Sequence, residues 1–463
     1  MPLHFPFFRG AQQRCTRVAL SLGVALAATF GAAPISAAED LPPAPATTAV
    51  SGARIIGQQW LSERTLELSV ASPSFTAPVK VEVMLPTGYA ADSTRRWPVT
   101  YYTHGTDNKA ATFREVYDGE ALTASFASII VSPSGDAGYW SDWYNNGAGG
   151  PPMYETFVTQ QLIPLVDANF RTLDDRAHRA VMGDSMGGYG ALMLAARHPD
   201  LFVAASSLSG AVDSNWVPGA AVLTASPALD TAIPDSVYGP RATNEVNWRG
   251  HNPTDLAANL RNLDLQLYTG NGVPGESEAG DPFAAGGCGL ESGIILPETM
   301  SLHNALVGQG IPHRFTAYDW GCHTPAMFRQ EIAETLPRLT EVFAKNTPAP
   351  TTFDYRSIAP KFSVFGWSTV VDQNRAVEFM DLRDVSSTGF TITGSGTTQI
   401  TTPPIFRGNK TVTVLINGQA TTQRPDSAGR ITVTVDLGQP SQDQQYTTGS
   451  TSNLGTSVVK FLR

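Results

Sequence analysis

The sequence predicts an α/β fold built on a mostly parallel sheet, followed by a small all-β domain. Three observations carry this. From Ser51 to about Lys345, short β-branched runs alternate with helical periodicities. A Pro-rich break, KNTPAPTT, then follows at 345–352. Beyond it no long helical pattern recurs, and period-two segments are separated by Gly, Asn and Pro.

The chain has 463 residues, too many for one ordinary core. Arg9, Arg14 and Arg17 precede the apolar run VALSLGVALAATFGAA, and Ser36-Ala37-Ala38 offers small residues for cleavage. This reads as a secretory signal peptide over 1–38, because a membrane anchor needs a longer apolar run. Cleavage removes three arginines and no acid, which takes the net charge from −10 to −13. So acidic a balance speaks against nucleic acid as a partner and for solubility. EDLPPAPATTAV, at 39–50, has nothing to bury and reads as a disordered tether. The main domain is then expected at 51–345, a linker at 346–352 and the all-β domain at 353–463.

The elements follow in order. VKVEVMLP (79–86), WPVTYYTHG (97–105) and FASIIVSPSG (126–135) are β-branched apolar runs closed by turn residues. YETFVTQQLIPLVDANF (154–170) carries apolar residues at helical spacing. HRAVMGD (178–184) is the next strand, MGGYGALMLAARHP (186–199) the next helix and FVAASSLSG (202–210) another strand. LDLQLYTGNG (263–272) and HRFTAYDWG (313–321) complete a sheet covered by helices on both faces. In the last domain VEFMDLRDV, TGFTITGSG, TVTVLINGQ and RITVTVDLG alternate as the strands of a sandwich. Covering an edge of the main domain is its expected role. Trp367 is a candidate exposed aromatic for binding polysaccharide.

Gly183-Asp184-Ser185-Met186-Gly187 fits G-x-S-x-G between a strand and a helix. In that setting the motif is a strained turn that lifts a serine hydroxyl above the sheet, the nucleophile elbow of α/β-hydrolases. The helix that follows points its positive end at the place where an oxyanion forms. An ordinary serine in a glycine-rich turn is the plainer reading, but the flanking elements favour a nucleophile. On this fold the base comes from a loop after the last strand, and His323 in YDWGCHTP meets that condition. Met186 N–H and an amide of the early loop Thr103-His104-Gly105-Thr106, with Thr106 favoured, are expected to form the oxyanion hole.

The acid is open between several carboxylates: Glu276, Glu278, Asp281, Glu291 and Glu298. Asp281 lies in a Gly-rich loop, whereas Glu291 begins the apolar segment LESGIILPETMSLHNAL and is favoured. Were Glu291 bonded to His323, Cys288 and Cys322 would be brought together. A disulfide between them is therefore expected in an oxidising compartment, holding the acid and base loops in register.

The runs YETFVTQQLIPLVDANFRT and GDSMGGYGALMLAARHPDLF resemble the esterase family that includes esterase D and secreted mycolyltransferases of the antigen-85 type. WSDWY, YTGNGVP and LESGIILPETMSLHNAL are similar to the mycolyltransferase branch in particular. The resemblance covers about 65–343. It implies Ser185 as nucleophile, Glu291 as acid and His323 as base, with Met186 and Thr106 supplying the oxyanion amides. That branch has an Asp-Gly-Leu-Arg run where this chain reads His104-Gly105-Thr106-Asp107. Loss of the arginine removes a sugar contact and favours hydrolysis over transfer to trehalose. The expected function is a secreted serine esterase acting on acyl esters or envelope lipids. Acyl transfer to a cell-envelope sugar is the rival, and a binding protein on a retired hydrolase scaffold is a third class. No metal or cofactor is called for.

Overall fold

The computed structural model describes residues 47–462, apart from 107, 231, 283, 409, 448, 450 and 451. The expected signal peptide (1–38), the first part of the tether and Asp107 lie outside the described residues.

Nine strands form the main sheet: β1 (Arg54–Trp60), β2 (Thr65–Ala71), β3 (Val79–Met84), β4 (Val99–Thr103), β5 (Ile129–Pro133), β6 (Arg179–Asp184), β7 (Ala204–Leu208), β8 (Asp264–Thr269) and β9 (Arg314–Ala317). Their order is β1-β2-β3-β5-β4-β6-β7-β8-β9. The run from β5 to β9 is parallel, and β1, β2 and β3 pair antiparallel on its flank. This is the α/β-hydrolase fold. Every residue of β4, β5, β6 and β7 is buried, because helices cover both faces; hence apolar and small residues predominate in them. The β1–β2 hairpin escaped the sequence reading. RIIGQQW mixes polar and apolar residues without alternation, because a strand at the sheet's edge buries too little to force it.

Beyond 352 two antiparallel sheets pack face to face. The first joins β10 (Phe353–Ser357), β13 (Met380–Ser386), β14 (Gly389–Gly394), β19 (Gly455–Leu462), β16 (Val412–Ile416) and β17 (Gln419–Gln423), in that order. The second runs β11 (Lys361–Val364), β12 (Trp367–Val370), β15 (Thr397–Thr401) and β18 (Thr432–Asp436). In TVTVD of β18 both valines are buried and the other three residues exposed, as a half-buried strand requires. Trp367 is not an exposed aromatic. It is 4% exposed and lies against Phe390 and Phe461 at ring distances of 5.8 and 6.3 Å. Burying so large a ring stabilises the sandwich, which removes it as a polysaccharide contact.

The sandwich leans on the main domain. Ile358 and Phe379 join the hydrophobic core beneath the main sheet. Tyr355 Oη donates to the carbonyl of Arg197 at 2.6 Å. Asn259 and the backbone of Arg356 exchange two hydrogen bonds, each 2.9 Å long.

Candidate active site

The site gathers at the carboxyl ends of the parallel strands, where β4, β6, β7, β8 and β9 each release a loop. Ser185 follows β6 and caps the helix Met186–Arg197 with φ 55° and ψ −122°. A positive φ in a non-glycine residue is strained and persists only where its surroundings impose it. Here Ser185 N–H donates to Leu208 O at 3.0 Å, and its own carbonyl accepts from Tyr189 N–H at 3.2 Å. The glycines around it answer to close approach. A Cβ on Gly187 would stand 1.9 Å from Thr103 O, and one on Gly183 would stand 2.3 Å from the same atom.

His323 leaves β9 on a loop tied down from both sides. Glu278 accepts from Cys322 N–H at 2.9 Å and from the Thr324 hydroxyl at 2.6 Å. The His323 N–H donates to Gly287 O at 3.1 Å, and Cys288 forms a disulfide with Cys322. Closing a loop across a sequence separation of 34 stabilises the fold by about 3–4 kcal/mol on a chain-entropy estimate. Thr324 Oγ1 accepts from Met327 N–H, and Pro325 opens the helix Pro325–Lys345. That helix sets Phe328 edge-on to the imidazole at 4.9 Å.

Glu291, rather than Asp281, meets this histidine. It sits in a π-helical turn, Glu291–Ile295, ahead of the helix Leu296–Gly308. Pro297 has no N–H for the carbonyl of Gly293, which instead accepts from Trp216 Nε1 at 3.2 Å. Glu291 is wholly buried. Its Oε2 accepts from His323 Nδ1 at 2.8 Å. Its Oε1 accepts from Ser209 Oγ, Thr269 Oγ1 and Gly270 N–H at 2.8–2.9 Å. Burial pushes this carboxyl's pKa up, but the His323 contact and these donors outweigh it and leave the group below its ordinary value. With its proton on Nδ1, His323 offers Nε2 to the Ser185 hydroxyl at 2.8 Å. Asp281 instead donates its own N–H to Glu278 O at 3.1 Å, in the loop before Cys288.

Thr106 and Met186 line a pocket of about 450 Å³ together with Ser185 and His323. Its remaining wall is mainly apolar, with Leu223, Leu290, Ile294 and Ile295 among its residues. His104 shapes the loop that carries Thr106. Its Nδ1 donates to Gly105 O at 2.7 Å, while Nε2 accepts from Gly135 N–H at 2.8 Å. Burial lowers its pKa to about 4, so it is neutral at pH 7. In WSDWY, Trp140 and Trp143 are buried, and Trp140 Nε1 donates to His104 O at 3.2 Å. The Trp140 ring, edge-on to His104 at 5.1 Å, supports the loop from behind. Asp184, beside the serine, is buried and accepts from the hydroxyls of Tyr102 and Tyr117. No local motif marks Ser209 or Glu331, and Glu278, a candidate acid in the sequence, ties the His323 loop instead. Among the described residues no group of His, Cys, Asp and Glu has metal-holding geometry, and no helix is long and apolar enough to cross a membrane.

Residues 72–339, over half the chain, match the model of the family described as Putative esterase. The chain is 34% identical over 269 residues to Esterase Rv1288 of Mycobacterium tuberculosis, covering 56% of each protein. It thus spans about half the length of that relative. It is 30% identical over 231 residues to the diacylglycerol acyltransferase/mycolyltransferase Ag85B of Mycolicibacterium smegmatis, covering 48% of this chain and 69% of the other. The crystal structure of Mycobacterium tuberculosis MPT51 (FbpC1) shares the fold with a TM-score of 0.50 and 20% identity, over 60% of this chain and 97% of that one. The chain belongs to the Putative esterase family.

Proposed function

We propose that this protein is a secreted serine esterase that cleaves acyl esters through Ser185, His323 and Glu291. The observation that carries the reading is the hydrogen-bonded chain from Glu291 Oε2 through His323 to Ser185 Oγ, opening on a mainly apolar pocket. Ser185 Oγ attacks the ester carbonyl as His323 Nε2 takes its proton. Glu291 holds the Nδ1 proton and stabilises the imidazolium. The amides of Met186 and Thr106 receive the oxyanion. Collapse passes the His323 proton to the departing alcohol and leaves an acyl-enzyme. Water, activated by the same histidine, then releases the acid.

Transfer to an acceptor hydroxyl shares every step up to the acyl-enzyme, and the likeness to Ag85B favours it as the second reading. The decision lies in whether the pocket holds a sugar hydroxyl near His323 at high effective concentration. Supplying one acyl donor with trehalose, with glucose or with no acceptor, and separating free acid from acylated sugar, tests this. Free acid is expected to dominate in all three, with at most modest stimulation by trehalose. Acylated sugar as the main product would make the protein a transferase.

A further inference from the structure

The mainly apolar pocket beside Ser185 holds, among its described lining residues, hydroxyls such as those of Ser214 and Ser226 and a single carboxyl. Glu298, from the helix Leu296–Gly308, lines it among Leu223, Ile294 and Ile295. The residue is 1% exposed. Its Oε2 accepts from Asp213 N–H at 3.1 Å. Its Oε1 has no hydrogen-bond partner among the described residues. Gly219, another lining residue, makes room for that oxygen: a Cβ there would stand 1.6 Å from Oε1.

The neighbouring Asp213 carboxylate accepts three hydrogen bonds. They come from Asn252 Nδ2 at 2.8 Å, Asn215 N–H at 3.0 Å and the Ser301 hydroxyl. Burial first, then the charge of Asp213, drives the Glu298 carboxyl well above the ordinary carboxylate range. Since Oε2 is occupied as an acceptor, the proton belongs on Oε1. A buried O–H donor without an acceptor costs stability. A leucine at this place would spare that cost and suit the apolar wall better.

We propose that Glu298 sets substrate specificity, its Oε1 donating to a hydroxyl or carbonyl oxygen borne on the substrate arm that fills the pocket. The expected substrates are thus oxygenated esters rather than plain alkyl ones. A site built to pair with an oxygen function rejects the analogue that lacks it, because its own polar group is then left unpaired. The inference rests on Ser185 being the nucleophile of this pocket.

The test compares 4-nitrophenyl alkanoates with matched esters carrying a hydroxyl or keto group at successive chain carbons. For the wild-type protein, at least one oxygenated ester should exceed its plain counterpart in kcat/KM by about tenfold, the worth of one hydrogen bond. That ratio should fall to about one in Glu298→Leu and survive largely in Glu298→Gln, whose amide still donates. Gly219→Ala displaces Oε1 without removing it, and should also depress the ratio, even should Glu298→Leu fail to fold. Hydrolysis with no preference for any oxygenated ester, or a preference unchanged in Glu298→Leu and Gly219→Ala, would overturn the assignment alone. No turnover of any ester would overturn the esterase reading with it.

Discussion

Glu291 and Glu331 stand on either side of one hydroxyl: Ser209 Oγ lies 2.9 Å from Glu291 Oε1 and 2.8 Å from Glu331 Oε1. Both carboxyls are wholly buried. Burial first, then the charge of Glu291, pushes the Glu331 pKa far up, whereas the donors around Glu291 keep that group ionised. The two environments drive the pair apart, so one proton sits on Glu331 and none on Glu291. Glu331 can then donate to Ser209, and Ser209 to Glu291. The serine thereby holds the acid that orients His323.

This arrangement ranks four substitutions by their effect on ester turnover. Glu291→Gln should cost about 10⁴-fold in kcat by disturbing the histidine's tautomer and charge. Ser209→Ala removes one donor to Glu291 and should cost about tenfold. Glu331→Gln keeps a donor beside Ser209 and should stay within a few-fold. Asp281→Asn should change little. Steady-state kinetics on a soluble ester decides the order, and a severe loss in Asp281→Asn with Glu291→Gln nearly silent would reverse the choice of acid.

Acid should weaken the fold through two buried imidazoles. Burial lowers the His104 pKa to about 4; burial and then the charge of Arg197 lower that of His251 to about 3. Unfolded, each binds its proton near pH 6.5. As the pH falls below that value, the unfolded chain takes up protons that the folded chain refuses. Stability is therefore full above pH 6.5 and lost as the pH falls toward 4, by up to about 1.4 kcal/mol per unit for each group. Urea midpoints at pH 7, 6 and 5 measure the slope. His251→Phe keeps the stacking on Tyr238, seen at 4.7 Å, and should remove about half of it. An unchanged slope would mean that His251 titrates normally in the fold.

Cutting the chain after Lys345 should not yield an independent catalytic domain. Ile358 and Phe379 would leave the main core, and burial of each such side chain contributes about 1.5–3 kcal/mol. The two hydrogen bonds between the Asn259 side chain and the Arg356 backbone would go with them. The truncated protein is expected to aggregate or to melt several degrees lower. A soluble fragment with the full-length melting temperature would show that the sandwich is dispensable.

Some of this protein was decided by short-range physics. The elbow is legible because strand, Gly183, Ser185, Gly187 and helix are contiguous, and steric need at one turn dictates its residues. The central strands are legible too, since burial on both faces favours largely apolar runs such as those of β4 to β6. Cleavage of the expected signal would remove Cys15 and leave two cysteines to pair, and the fold brings Cys288 to Cys322.

The sequence favoured Glu291 among the carboxylates, but what each of them meets was decided by the tertiary structure. Composition treats Glu278, Asp281, Glu291 and Glu298 alike, because a carboxylate's behaviour is set by desolvation and by donors from distant segments. Folding gives Glu291 the imidazole of His323, makes Glu278 the tie on the His323 loop and leaves Glu298 in an apolar wall. Ser209 and Glu331 had no local signature, since their meaning comes from β7 and the last helix meeting behind Glu291. Trp367 shows the same limit in reverse. Alternation announces a strand, but which of its faces lies inward depends on the sheet that packs against it.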